Sequence, residues 1–236
     1  PHMGALADLA AATHNISREE QDTYALASHA RALQAQSEGH LASQLVAVST
    51  SGAEFCSDEG VREPDLTKLA GLAPAFGANG TVTAGSASQI ADGAAAVLLG
   101  SAAAGESHGL TPLARLAGIA VWSQEPRWYT TAPVGAIRKL LDGAGLRIAE
   151  IDRYEINEAF AVVPLYAMRE LGIAHERVNV WGGAIAMGHP IGASGARIAL
   201  NLAHALRATD GRYGIAAACN GGGEAVALLL ETVQAP

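Results

Sequence analysis

The sequence predicts an α/β fold in which helices pack in layers against a sheet. From about residue 114 onward, strand and helix patterns alternate along the chain, which is typical of layered α/β domains. Apolar residues make up 50% of the 236 residues, charged residues 16% and aromatic residues 5%. This composition favours a close-packed interior of small aliphatic side chains. The length suffices for one large domain or two small ones.

The first elements are predicted to be helical, followed by an irregular region. Residues 5–46 have helical spacing, with Ser17-Arg18-Glu19-Glu20 as an N-terminal capping pattern and Gly39 as a stop. A short strand is expected at 45–48. Residues 49–80 contain prolines and several glycines and are expected to form loops, which often carry binding sites.

The following segment is predicted to combine turns with one strand. Residues 81–88 are small and turn-prone, so a ligand can lie along their backbone. The apolar run 94–99 is expected to be a buried strand, and residues 101–112 a linker. The later predicted strands are 114–121, 151–156, 178–181, 213–219 and 225–231, and the predicted helices are 133–145, 159–171 and 193–206.

Charge and cysteine usage exclude several classes of function. The net charge of −8 offers no electrostatic footprint for nucleic acid or an anionic membrane. The apolar runs are far shorter than the ~20 residues of a spanning helix. Cys56 and Cys219 form no CxxC pair, which favours a free functional thiol in a reducing compartment, and we expect a cytoplasmic location. No metal-ligand spacing is present, and no metal is expected.

A glycine-rich stretch at 182–197 surrounds His189. Its glycine spacing matches neither a dinucleotide fingerprint nor a phosphate-binding loop. An isolated histidine here would more often be a surface loop residue. Within this pattern, a histidine between Gly188 and Pro190 favours proton transfer near neutral pH.

Cys219 precedes three glycines at the end of a predicted strand. A free cysteine is commonly a small core residue. The glycines instead favour function, because they permit close approach and leave the amides of Gly221 and Gly222 available to an oxyanion. The thiol then serves as a nucleophile or as an acid/base, and the residues alone leave both open.

Asn157 and Glu158 follow the predicted strand 151–156. The end of a strand is a common place for ligand-facing groups in α/β folds. Asn157 is also a good helix cap, with Glu158 in the first turn, and both interpretations can hold together.

The combination of these motifs resembles the thiolase family of acyltransferases. The resemblance is carried by residues 16–22, 72–76, 80–85, 157–161, 182–197 and 219–223, and it extends from His2 to Glu231. It implies a thiolase-like layered α/β/α half preceded by an irregular loop domain. The implied organisation is a loop domain at 1–89, a returning segment at 90–112 and a C-terminal domain at 113–236.

The resemblance also implies roles for individual residues. His189 would activate an acyl-accepting cysteine and share an oxyanion hole that Asn157 completes through a water. Cys219 would be the acid/base, and the amide of Gly221 would serve a second oxyanion hole. The implied substrate contacts are His2 and Met3 at the acyl pocket, Ala75, Phe76, Ala84, Ser88 and Phe160 along the pantetheine arm, and, more weakly, Arg62 at a phosphate.

The sequence departs from the family pattern in two respects. The family's nucleophilic cysteine lies in an N-terminal domain that precedes the His-Met-Gly segment, and neither Cys56 nor Cys219 matches it. We therefore expect this chain to lack the N-terminal half of the core. That missing half is expected to be a partner of the chain. Ser86 also stands where asparagine is usual.

The resemblance implies acyl transfer between CoA thioesters, by thiolysis of 3-ketoacyl-CoA or by Claisen condensation through an acyl-cysteine. CoA thioesters would be substrates, with no further cofactor, and the assembly would be a homodimer or homotetramer. The alternative is a non-catalytic CoA-binding or assembly module of the same fold.

Overall fold

A computed structural model describes residues 2–233. The helices are α1 (Met3–Thr13), α2 (Arg18–Ser37), α3 (Leu66–Ala70), α4 (Ala102–Ser107), α5 (Ala132–Ala144), α6 (Val162–Leu171), α7 (Ala184–Met187) and α8 (Ile191–Ala208). The strands are β1 (Val48–Ser49), β2 (Glu54–Phe55), β3 (Ala114–Ser123), β4 (Arg153–Ile156), β5 (Tyr213–Cys219) and β6 (Glu224–Thr232). Short 3-10 turns lie at Ala42–Gln44, Pro126–Thr131, Ile148–Glu150 and His175–Arg177.

The main sheet has the strand order β3-β6-β5-β4. Strands β4 and β5 are parallel, whereas β6 is antiparallel to both β5 and β3. The ladder continues past β4, because the Asn157 amide donates to the Ala217 carbonyl at 2.9 Å. Carboxyl ends of parallel strands share one edge of a sheet, so Asn157 and Cys219 lie at the same edge.

Helices cover both faces of this sheet. Ile215 and Ala217 of β5 pack in a cluster with α5, whereas Ala216 packs with Leu202 and Leu206 of α8. Successive strand residues point to opposite faces, so α5 and α8 lie on opposite sides. The α/β fold with a layered α/β/α half is confirmed.

The predicted helix over 5–46 is wrong in its extent, because the structure has two helices there. The chain leaves α1 at Thr13, and Asn15 takes a left-handed φ of 52° before α2 begins. Ser17 caps α2 as predicted: its side chain accepts from the Glu20 amide, and the Glu20 carboxylate accepts from the Ser17 amide. This reciprocal pair fixes the start of α2.

The buried strand predicted at 94–99 is also wrong. No regular element forms there, and Leu98 and Leu99 are 81% and 73% exposed. A strand needs a neighbour for its backbone groups, and no strand within residues 2–233 pairs with this segment. Nearby, β3 is an edge strand whose Ile119 side chain is 58% exposed.

Several predicted boundaries change in the structure. The strand at 45–48 is replaced by the β1–β2 hairpin, and the linker at 101–112 contains α4. The strand at 178–181 is reduced to isolated bridges, one of which joins Val178 to Tyr154. Strand β5 has the predicted bounds, and the antiparallel return and α5 differ from their predicted bounds by one residue at each end.

Candidate active site

The site is built where β4 and β5 end and α8 begins. Asn157 follows β4 and is only 2% exposed. Its side-chain nitrogen Nδ2 lies 3.3 Å from Nε2 of His189, and its oxygen Oδ1 is buried without a hydrogen-bond partner in the described chain. A buried unpaired acceptor is costly unless a ligand or water reaches it. Asn157 therefore presents an acceptor suited to a bound water or substrate group.

Backbone contacts hold His189 in place. Its amide donates to the Gln89 carbonyl at 2.9 Å, and the Gln89 side chain in turn donates to the carbonyls of Ile185 and Ala186. Gly188 has a φ of +90°, and a Cβ there would lie 2.5 Å from the Cβ of Ala91. The loop before His189 thus needs glycine for both its conformation and its close approach.

The imidazole of His189 favours its neutral form. Burial lowers the pKa of His189 below its usual value, and the charge of Arg197 lowers it further. Nδ1 lies 2.6 Å from Oγ of Ser194 in the first turn of α8. A neutral imidazole at neutral pH can accept a proton, as a general base requires.

Cys219 ends β5 and lies half-buried between two hydrophobic clusters. Burial raises the pKa of its thiol to about 12. The thiol therefore keeps its proton at neutral pH. A group in this state is set up to donate a proton, and its use as a base depends on a change in its surroundings when substrate binds.

Gly221 lies beside Met3 at the open side of the site. A Cβ at Gly221 would lie 3.2 Å from the sulfur of Met3. The backbone of Met3 is held by Tyr129, whose hydroxyl donates to the Met3 carbonyl at 3.0 Å. The structure thus brings the predicted acyl-pocket residue Met3 next to the predicted oxyanion donor.

The expectation that the Gly222 amide is available to an oxyanion is wrong. That amide donates to Oδ1 of Asn220 at 2.8 Å, closing a local turn. The Gly223 amide also bonds within this turn, to the Asn220 carbonyl. Asn220 therefore accepts hydrogen bonds from the amides of both Gly222 and Gly223, and neither amide is available to an oxyanion.

Three aromatic rings, those of His2, Phe76 and Phe160, form an aromatic group that connects the predicted acyl-pocket and pantetheine residues. The ring of His2 stacks on Phe76 at 5.1 Å, and Phe76 meets Phe160 edge-to-face at 5.7 Å. His2 also caps α1, where its Nδ1 accepts from the Gly4 amide. The sequence separations of these rings are large, so the fold itself assembles the group.

Backbone bonds place the remaining pantetheine candidates. The Ser88 amide donates to the Ala159 carbonyl at 3.1 Å, and the Ala75 amide donates to the Val82 carbonyl at 2.9 Å. Ala75 and Ala84 are exposed, and Ser88 is half-buried. The first bond sets the segment 81–88 against the motif at 157–161, and the second sets Ala75 against the same segment.

Arg62 is exposed in the loop region, and its amide donates to Nδ1 of His29 at 3.4 Å. This contact places the Arg62 backbone against α2, and no hydrogen bond or ion pair of the described residues joins its side chain to the catalytic candidates.

Among residues 2–233, no three His, Cys, Asp or Glu side chains are grouped to bind one metal ion. None of the helices in that range combines the length and hydropathy needed to cross a bilayer.

Glu158 contributes a feature that the sequence did not reveal. Its carboxylate is fully buried and accepts hydrogen bonds from Tyr24, Ser28, Asn179 and the Ile185 amide, at 2.7–3.0 Å. Asn157 and Glu158 do not cap a helix, because α6 begins only at Val162. The sequence near Glu158 does not indicate this role, because its three side-chain partners lie far away along the chain.

Comparison with known proteins matches the chain to two family models. Residues 1–103 match the thiolase N-terminal domain, and residues 110–232 match the thiolase C-terminal domain. Acetyl-CoA acetyltransferase 2 of Arabidopsis thaliana is 48% identical over 236 residues, which cover 97% of this chain and 59% of that protein. The chain thus spans less than two thirds of the length of this relative.

Solved structures agree with this assignment. The crystal structure of the Bacillus anthracis acetyl-CoA acetyltransferase has a TM-score of 0.94 at 42% identity, covering 98% of this chain and 60% of that one. A human mitochondrial 3-ketoacyl-CoA thiolase solved in complex with CoA has a TM-score of 0.94 at 41% identity, covering 97% and 58%. Both the sequence and the fold therefore place this chain in the thiolase family.

Proposed function

We propose that the full-length protein transfers acyl groups between CoA thioesters, by thiolysis of 3-ketoacyl-CoA or by the reverse Claisen condensation. The observation that carries this proposal is the pairing of Asn157 with His189 at the sheet edge where Cys219 ends β5. The chain spans about 59% of its Arabidopsis relative. We propose that the nucleophilic cysteine lies in a further part of the full-length protein.

Each residue has a defined part in the proposed reaction. Nε2 of His189 removes the proton of the nucleophilic thiol, which attacks the acyl-CoA carbonyl and forms a tetrahedral oxyanion. His189 and a water held by Asn157 form the oxyanion hole that stabilises this charge. The C–S bond to CoA breaks, CoA leaves with the proton, and an acyl-cysteine remains.

Cys219 acts in the second half of the reaction. In condensation the Cys219 thiolate, formed when substrate changes its surroundings, takes the α-proton of a second acyl-CoA. The resulting carbanion attacks the acyl-cysteine, and the nucleophilic cysteine leaves as a thiolate that recovers a proton from Cys219. In thiolysis the Cys219 thiol donates the α-proton to the departing acyl-CoA. The protonated state of the Cys219 thiol in the structure is the state that this donor role requires. The Gly221 amide serves the second oxyanion hole.

The proposed pocket follows from the aromatic group and the loop beside it. His2 and Met3 border the acyl group, and the pantetheine arm lies along 84–88 toward Phe76 and Phe160. Arg62 is the proposed phosphate contact. CoA thioesters are the proposed substrates, with no additional cofactor.

The assay is thiolysis of acetoacetyl-CoA by CoA, followed as loss of substrate with the full-length protein. We expect activity in the wild type and a loss of about 100-fold or more in His189→Asn, since general bases contribute about that much. His204→Asn, the same substitution at a half-buried histidine within α8, is the matched control. Absence of acyl transfer in the folded wild type, with CoA still bound, would contradict the proposal.

That last outcome would instead support the alternative, a non-catalytic CoA-binding or assembly module. Intact mass separates the two further. The acyltransferase proposal expects a full-length protein heavier than 24.0 kDa by a whole domain. The exposed apolar segment 94–99 favours this proposal, because a missing half of the core would give that segment a neighbouring strand.

Assembly and location remain part of the proposal. We propose a homodimer or homotetramer, to be measured by light scattering of the full-length protein. A cytoplasmic location is proposed from the free thiols Cys56 and Cys219, which suit a reducing compartment. Fractionation of cells from the source organism would test it.

A further inference from the structure

The hydrogen-bond geometry of Ser194 bears on which ring nitrogen of His189 carries the proton. Ser194 is only 2% exposed, so solvent does not supply its partners. Its Oγ lies 3.0 Å from the Pro190 carbonyl oxygen and 2.6 Å from Nδ1 of His189. A hydroxyl has a single hydrogen, and a carbonyl can only accept. When that hydrogen goes to Pro190, Oγ must accept from an N–H at Nδ1.

The opposite side of the ring agrees with this assignment. Nδ2 of Asn157 is a donor and lies 3.3 Å from Nε2 of His189. A donor facing Nε2 requires a lone pair there, which exists only when the neutral ring carries its proton on Nδ1. The two contacts on either side of the imidazole therefore select one tautomer.

We propose that Ser194 is a positioning residue that holds His189 in the Nδ1–H tautomer and leaves the lone pair of Nε2 toward the site. This inference rests on the proposed function for its chemical meaning. When Nε2 takes the proton of the nucleophilic thiol, the ring becomes a cation and its Nδ1–H remains bonded to Oγ. No hydrogen bond on the Ser194 side is lost during the transfer, and on the other side the Asn157 amide turns its unpartnered Oδ1 toward the new Nε2–H.

The reverse arrangement is physically distinct. Ser194 would give its hydrogen to Nδ1, and the Asn157 amide would turn its oxygen toward an N–H at Nε2. His189 would then have no lone pair at Nε2 with which to accept a proton. The position of one hydrogen therefore separates a ring ready to act as a base from one that is not.

The test is nitrogen NMR of the full-length protein labelled with 15N-histidine, with the His189 signals assigned from His189→Asn. The protonated and unprotonated ring nitrogens of neutral histidine differ strongly in chemical shift. We expect a protonated Nδ1 in the wild type. Ser194→Ala should shift the population toward Nε2–H and lower kcat/KM for acylation about 10- to 100-fold, the range found when the outer partner of a metal-bound histidine is removed.

Two further variants separate positioning from folding. Ser194→Thr keeps the hydroxyl and should retain the wild-type tautomer and most of the rate. Thr209→Val removes a similar hydroxyl bond, from Thr209 to the Ala205 carbonyl in the same helix, and should change neither. If Ser194→Ala does not fold, the wild-type tautomer and the Ser194→Thr result still decide.

An Nε2–H tautomer in the wild type, or an unchanged tautomer in folded Ser194→Ala, would overturn the inference. Absence of acyl transfer in the wild type would overturn the proposed function instead. The NMR result does not depend on activity, so the two failures are distinguishable.

Discussion

The hydroxyl of Tyr24 in α2 donates a 2.8 Å hydrogen bond to the buried carboxylate of Glu158, 134 residues further along the chain. The same carboxylate accepts from Ser28, also in α2, and from the Ile185 amide just before the His189 loop. A single side chain next to Asn157 therefore joins α2 to the strand end and to the loop that carries the candidate base.

Replacing Glu158 with Gln should destabilise the protein. One carboxylate oxygen becomes an NH2 group that faces hydrogen-bond donors, so buried donors lose their acceptor. We expect the free energy of unfolding in urea to fall by about 1–3 kcal/mol. Glu19→Gln, the same change at an exposed position in α2, is the control and should have little effect. Equal stability of the two variants would show that the buried bonds contribute nothing.

Gly182 and Gly143 should respond oppositely to alanine. Gly182 has a φ of +78°, and a Cβ there would lie 2.5 Å from the Ser28 carbonyl oxygen. Gly182→Ala should therefore lower the unfolding free energy by about 1–3 kcal/mol. Gly143 lies within α5 with nothing within 4 Å of its added Cβ, and Gly143→Ala should raise stability by about 0.4–1 kcal/mol. Thermal melts of both variants test this, and a stable Gly182→Ala would be inconsistent with the close approach.

Glu155 should make stability depend on pH. It is 3% exposed, and burial, reinforced by Glu158, raises its pKa to about 8. The folded state therefore keeps a proton on Glu155 up to about pH 8, whereas the unfolded chain loses it near pH 4.5, the ordinary pKa of a glutamate. The folded state binds more protons between these values, so its contribution to stability falls as pH rises, by at most about 1.4 kcal/mol per pH unit.

The comparison with Glu155→Gln isolates this effect. The Gln side chain keeps an oxygen for the 2.9 Å bond from Asn201 but cannot ionise. We expect the wild type to lose stability relative to Glu155→Gln between pH 6.5 and 8, measured as urea unfolding free energy. His29, whose pKa is lowered to about 4 by burial, titrates alike in both proteins, so its contribution cancels in this difference. A constant difference between the two proteins across this range would refute the assignment.

The sequence predicts the parts of the fold that depend on local pattern. The Ser17 cap, α5 with its Gly145 stop and the hairpin of β5 and β6 follow from spacing and turn residues within a few positions. The strand at 94–99 fails because an apolar run predicts burial, whereas strand formation depends on a neighbouring strand.

The candidate site also contains some residues that local sequence predicts and others that only the structure reveals. His189 and Asn157 are identified from their motifs, and the structure brings them within 3.3 Å. The Glu158 network is not predictable from local pattern, because its side-chain partners lie in distant elements. The bond from the Gly222 amide to Asn220 is a local turn, and the prediction missed it by treating the glycine amides alone. Ser194 lies inside the glycine-rich motif, but only its distance to Nδ1 reveals a role.

The most direct measurement separates the two halves of the proposed reaction in full-length Cys219→Ala. The protein is mixed with radiolabelled acetyl-CoA, and both the protein-bound acetyl group and acetoacetyl-CoA are quantified. We predict acetylation of the nucleophilic cysteine at wild-type stoichiometry, together with at least about a 100-fold loss of condensation, since Cys219 acts only in the second half. Condensation at the wild-type rate would contradict the account.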